Sequence, residues 1–113
     1  MSCGTLTRLY GPAYIANSAT NIYNNGSALL YTEIRRIHIC NVTTASATFT
    51  LCVGGTGVIT GGTELYKTKL VPSNDVFIDW RLLKMISTDF LVGICETGSS
   101  KLTIEIEGYL RAV

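Results

Sequence analysis

The side chains able to do chemistry are few: one histidine, His38; four cysteines, Cys3, Cys40, Cys52 and Cys95; and the aspartates Asp75, Asp79 and Asp89. A nucleophile needs a base within hydrogen-bond reach and a further group to orient that base. His38 stands between Ile37 and Ile39 in an alternating segment, where a solvated or hydrogen-bonded strand residue is expected. The aspartates could form a carboxylate pair for acid–base work or glycoside cleavage. Turn and strand-edge roles account for each of them equally well. With no convergent polar constellation, the chain is expected not to be an enzyme.

Cofactor chemistry finds no better support. The cysteines lack paired Cys-x-x-Cys spacing, and a single histidine does not complete a zinc site, so neither a metal nor any other cofactor is expected. Gly54-Gly55-Thr56-Gly57 and Gly61-Gly62 bracket Val58-Ile59-Thr60 and read as a long loop or a short edge strand. A phosphate-binding loop would need a lysine followed by Ser or Thr and then a helix, which this stretch does not have.

The elements that carry these residues read as strands. Ile34 to Val53 shows two alternating segments joined by Thr43-Thr44-Ala45-Ser46, with Ile37 and Ile39 on one face of the first and Phe49, Leu51 and Val53 on one face of the second. This predicts a β-hairpin with a core face. Its register would set Cys40 opposite Cys52, within reach of a disulfide. Cytosolic folding favours free thiols at all four positions. Ile22 to Asn24 and Ala28 to Tyr31 flank Asn25-Gly26 and predict a second hairpin with a tight turn. Asp89 to Glu96 and Lys101 to Leu110 predict a third, with Phe90, Val92 and Ile94 opposite Leu102, Ile104 and Ile106. Between these lie a strand at Thr63 to Val71, a break at Pro72-Ser73-Asn74-Asp75, and a strand in which Val76, Ile78 and Trp80 alternate with Phe77 and Asp79. Trp80 is expected in the core, and Arg81 to Ser87 fits either a short strand or one helical turn.

Short strands with frequent turn signals and no helix-length period predict an all-β fold: a single-domain antiparallel β-sandwich, jelly-roll-like. Gly11-Pro12 breaks the first alternating segment, so residues 1–20 are expected to form an extended N-terminal arm and residues 21–113 the sandwich. Tyr10, Tyr14, Tyr23 and Tyr31 crowd the lightly charged opening third. They are either half-buried strand residues or, with Leu6 and Leu9, a contact surface for a neighbouring chain. The segments Leu6 to Tyr10 and Thr63 to Leu70 are the expected exposed sheet edges.

At 113 residues, with 47% hydrophobic side chains and a net charge of +1, the chain supports one core and no long-range attraction for polyanions. Nucleic acid and membrane are not expected partners. No apolar run approaches the roughly 18 residues of a membrane span, and the N-terminus lacks a secretory pattern, so folding in a cytosol is expected. Asn25-Gly26-Ser27 and Asn41-Val42-Thr43 match the glycosylation sequon and are read as turn chemistry.

The order Tyr10-Gly11-Pro12-Ala13, Ile34-Arg35-Arg36-Ile37-His38-Ile39-Cys40-Asn41, Leu65 onward with Pro72, Val76 to Trp80, and Leu102-Thr103-Ile104-Glu105-Ile106-Glu107-Gly108 resembles small virion proteins of tailed bacteriophages. The resemblance covers nearly the whole chain and is one of pattern. It implies a β-sandwich in the virion, folded in the bacterial host cytoplasm, that cements or decorates the major capsid protein lattice, often as a homotrimer. A tail- or fibre-associated structural role and a carbohydrate-binding module for host attachment are the alternatives.

Overall fold

The computed structural model describes residues 6–54, 59 and 63–113. These form eight strands: β1 (Thr7–Tyr14), β2 (Thr20–Tyr23), β3 (Leu30–Asn41), β4 (Ala47–Gly54), β5 (Glu64–Val71), β6 (Val76–Met85), β7 (Phe90–Cys95) and β8 (Leu102–Ala112). Two four-stranded antiparallel sheets result, ordered β1-β8-β3-β6 and β2-β7-β4-β5. The pairings are nested: β1 with β8, β2 with β7, β3 with β6 and β4 with β5. One long antiparallel ribbon has therefore been rolled up, and rolling adds the contacts of β3 with β8 and of β4 with β7 that close each sheet. This is the jelly-roll arrangement of a β-sandwich.

The nesting overturns the three expected hairpins. β3 and β4 lie in different sheets, as do β2 and β3, and β7 and β8. Each of these connections carries the chain across the core. Alternation reports which side chains face inward but not which strand lies alongside, and a strand across a sandwich shows the same pattern as one paired beside it. Ile37 and Ile39 do meet the Phe49 and Leu51 layer in the core, but across the sandwich. Cys40 and Cys52 belong to different sheets, and neither they nor Cys95 form a disulfide; Cys3 lies outside the described residues. In β7 the inward positions are Leu91 and Cys95, so the core face is the opposite of the one expected from Phe90, Val92 and Ile94. The expected glycine-rich element falls largely outside the described residues, and Arg81 continues β6 as strand through Met85.

Nor do residues 7–14 extend away as an arm. They are β1, bonded along β8, and Ile15 just beyond is buried in the core and donates its N–H to Leu102 O. Gly11, at φ +77°, lies so close to β8 that a Cβ there would fall 2.1 Å from Ile104 O. The break read at Gly11-Pro12 is thus an irregularity within a strand. As edge strands, β1 and β5 match the expected exposed segments.

Two asparagines hold crossings between the sheets. Buried Asn41 donates through Nδ2 to Ala45 O (2.8 Å) and Val71 O (3.0 Å), while its Oδ1 accepts from Thr43 N and Thr43 Oγ1. Asn25 Oδ1 accepts from Ser27 N at 2.8 Å. Both sequon asparagines therefore act as turn-forming side chains.

Candidate functional site

β6 is an edge strand of the first sheet, and its side chains alternate without interruption. Toward the core it sends Phe77, Asp79, Arg81, Leu83 and Met85; toward solvent, Val76, Ile78, Trp80, Leu82 and Lys84. Apart from Lys84 at one end, the outward set is apolar and exposed, with Trp80 at 71% and Leu82 at 66% accessible. Trp80, expected in the core, is thus on the surface. The reason is that the charged parity lies inward: Asp79 and Arg81 pair with each other and sit beside Phe77, Leu83 and Met85, while the more apolar parity faces out.

The inward polar pair is accommodated by pairing. Arg81 Nε and Asp79 Oδ2 lie 2.7 Å apart as an ion pair, though not aligned as a hydrogen bond. Their neighbour Tyr66 comes from β5 on the other sheet, with the Arg81 guanidinium 5.6 Å from its ring centroid. Tyr66 also meets Phe77 edge-on at 5.0 Å and Phe49 at 6.0 Å, so an aromatic cluster closes this side of the sandwich. Burial pushes the Tyr66 phenol above its ordinary pKa; Arg81 opposes this and the Asp79 carboxylate adds to it.

Next to the stripe, the outer face of the sheet carries matched charge clusters around Arg36 and Arg111. Arg36 on β3 lies across from Trp80, its guanidinium 5.7 Å from the ring centroid, and binds Glu105 Oε1 at 2.8 Å and Glu107 Oε1 at 2.5 Å. Arg111 Nε pairs with Glu33 Oε1 at 2.8 Å. Beside Arg36, the β3 register shifts and Arg35 is left exposed. A depression of about 210 Å³ is lined by Leu6, Arg35, Arg36, Trp80, Glu107 and Tyr109. A second, of about 280 Å³, shares Arg35 and Trp80 with the first and is otherwise lined by Arg81 and Leu82. Trp80 and Arg35 therefore line both shallow hollows.

Of the residues expected to form a contact surface, Leu6 reaches this site and Tyr14 is exposed across from Thr103 on the same sheet. Leu9, Tyr10 and Tyr23 pack on the chain's own core, and the Tyr23 hydroxyl lies 3.2 Å from buried Thr32 Oγ1. Tyr31 is half-buried, with the Lys84 ammonium 4.6 Å from its ring centroid. The stripe Val76, Ile78, Trp80 and Leu82 was the part missed. The signal available in β6 was the presence of large apolar side chains in both parities, Phe77, Leu83 and Met85 in one and Val76, Ile78, Trp80 and Leu82 in the other.

His38 faces outward between Glu105 and Ile78, away from Asp75, Asp79 and Asp89 in the register of the sheet. Among the described residues no group of three or more His, Cys, Asp and Glu could hold a metal ion, and no helix is long and apolar enough to cross a membrane. No known family model and no curated protein matches the sequence.

Proposed function

We propose that this chain is a non-enzymatic structural protein of a tailed-phage virion, a capsid cement or decoration protein that works as a homo-oligomer on the major capsid protein lattice. The observation that carries the reading is the exposed apolar stripe of Val76, Ile78, Trp80 and Leu82 on a sheet edge. An isolated exposed Leu means little, but a contiguous row centred on a tryptophan is the composition of a protein contact. The jelly roll supplies a rigid support for it, and Arg36, Glu105 and Glu107 beside it are already paired with one another, which leaves apolar contact area as the main resource of this face. Such a protein stabilises a shell by adding contact area, without a chemical step.

Mass spectrometry and reconstruction of purified particles test this. The chain should be present in regular copy number, and Trp80→Asp should fold yet be lost from particles. Absence of the unmodified chain from particles would overturn the proposal. A sugar-binding role on a tail fibre is favoured by one feature, the exposed Trp80 that lines two shallow hollows together with Arg35; glycan-array binding abolished by Trp80→Ala would replace the cement reading with it.

A further inference from the structure

The four sheet edges are unequally defended. β1 carries Pro12 and two register shifts. β2 is four residues long. β5 exposes Lys67 and Lys69, places Thr68 at φ 46° and has two register shifts against β4. Proline, bulges, lysines and shortness are the devices that keep an edge from accepting another strand. β6 has ten residues, with neither proline nor glycine and no left-handed residue, and its in–out alternation runs unbroken past its single register shift opposite Arg35. Its inward charges, Asp79 and Arg81, are paired with each other, and Lys84 at one end is its only outward charge. Of the four, β6 is the edge prepared to be paired.

Its sequence also states what would pair with it. Read outward from Trp80, Asp79 is matched by Arg81, Ile78 by Leu82 and Phe77 by Leu83. A strand laid antiparallel against its own copy about a two-fold axis at Trp80 places these matched positions opposite one another. Opposite charges then face each other on the inner side, and aliphatic side chains face each other on both sides. The next match, Val76 with Lys84, sets a methyl pair against a lysine stem. A shift of one residue, with the axis between Trp80 and Arg81, would set Ile78 against Leu83 and Asp79 against Leu82, pairing side chains from opposite faces.

We infer that β6 is a self-pairing edge: two copies join β6 to β6, antiparallel and centred on Trp80, into one sheet continuous across both. The partner is a second copy of this chain, chosen by the charge and apolar complementarity of β6 with its own reverse. This rests on the reading of the Trp80 face as an assembly surface. The pairing brings the two outer stripes side by side, so that Ile78, Trp80 and Leu82 of both copies form one patch twice the size, and the unpaired backbone groups of each edge find partners.

Cysteine cross-linking of the full chain tests partner and register together. Across an antiparallel pair the Cα atoms of facing residues are about 4.5 to 5.5 Å apart, which a disulfide spans. Under mild oxidation Trp80→Cys should give a covalent dimer. Ile78→Cys alone should not, but should cross-link when mixed with Leu82→Cys. The native chain, with its own thiols, is the background control, and light scattering gives the native mass. A monomer at every concentration, a trimer, or cross-linking no greater than the native chain in both the Trp80→Cys and mixed samples would overturn the inference. If such a chain is nevertheless found in particles, the pairing alone has failed. A cross-linked dimer absent from particles leaves the pairing intact and removes the virion reading.

Discussion

The Arg36 guanidinium and the Trp80 ring face each other across neighbouring strands at 5.7 Å, and the arginine is held there by two carboxylates, Glu105 and Glu107. The tryptophan borrows its orientation from this cluster and gives little back, since an exposed cation–π contact contributes about 0.5 to 1 kcal/mol. Trp80→Ala should therefore shift chemical-denaturation stability by no more than about 1 kcal/mol. Arg36→Met should cost more, about 2 kcal/mol, because it leaves Glu105 and Glu107 together without their common cation. Urea titrations followed by circular dichroism decide the order; a larger loss for Trp80→Ala would refute the assignment of Trp80 to the surface.

Tyr66 sets an alkaline limit. Its phenol has a raised pKa in the folded chain, chiefly through burial, so the folded state holds this proton more tightly than the unfolded one. The associated stability is complete below the ordinary tyrosine range, near pH ~10, and is lost as pH rises through the folded value. Thermal melts from neutral pH upward should show a decline that Tyr66→Phe reduces. Equal declines in both proteins would mean that another group controls it.

Asn41 should be costly to replace. Its side chain makes two donations and accepts two bonds while buried, and Val71, whose carbonyl it bonds, is buried as well. Asn41→Ala is expected to lower stability by about 2 to 3 kcal/mol. Thr43→Ala, which removes a half-buried hydroxyl from the same turn and leaves both Asn41 donations in place, should cost less than half as much in the same assay.

Gly108 reports backbone closeness. A Cβ there would fall 2.1 Å from Glu33 O, so β3 and β8 could not keep their separation. Gly108→Ala should destabilise by about 3 kcal/mol or more, comparable to severe overpacking. A protein with unchanged unfolding midpoint would show that the sheet can part at this point without penalty.

Removal of residues 1–20 should prevent folding. The deletion takes away β1, which covers β8, together with Ile15 and Leu9 from the core. Circular dichroism and exchange-protected amides should both be lost; a folded, monomeric remnant would restore the view of this segment as a detachable arm.

Strand positions were legible because inward Ile, Leu and Phe recur with period two, and the turn roles of Asn25 and Asn41 followed from short polar side chains that bond their own backbone. Pairing was not legible. Ile37 and Ile39 look the same whether the Phe49 strand lies beside them or across from them, and only the whole set of nested contacts distinguishes the two. The candidate site was hidden for a related reason. Phe77, Leu83 and Met85 satisfy the core as well as Val76, Ile78 and Leu82 would, and the burial of Asp79 depends on an arginine two positions away whose pairing no periodicity shows.

The position of β8 has a consequence for the order of events during synthesis. It lies between β1 and β3, so the sheet that carries the Trp80 stripe has no centre until residues 102–112 have left the ribosome. Before then β1 has no neighbour in its sheet, and β3 with β6 forms a two-stranded ribbon too small to hold itself together. The pairing-competent strand β6 is thus emitted well before the fold that makes it rigid, and every nascent copy spends that interval as a potential partner for its neighbours on the same message.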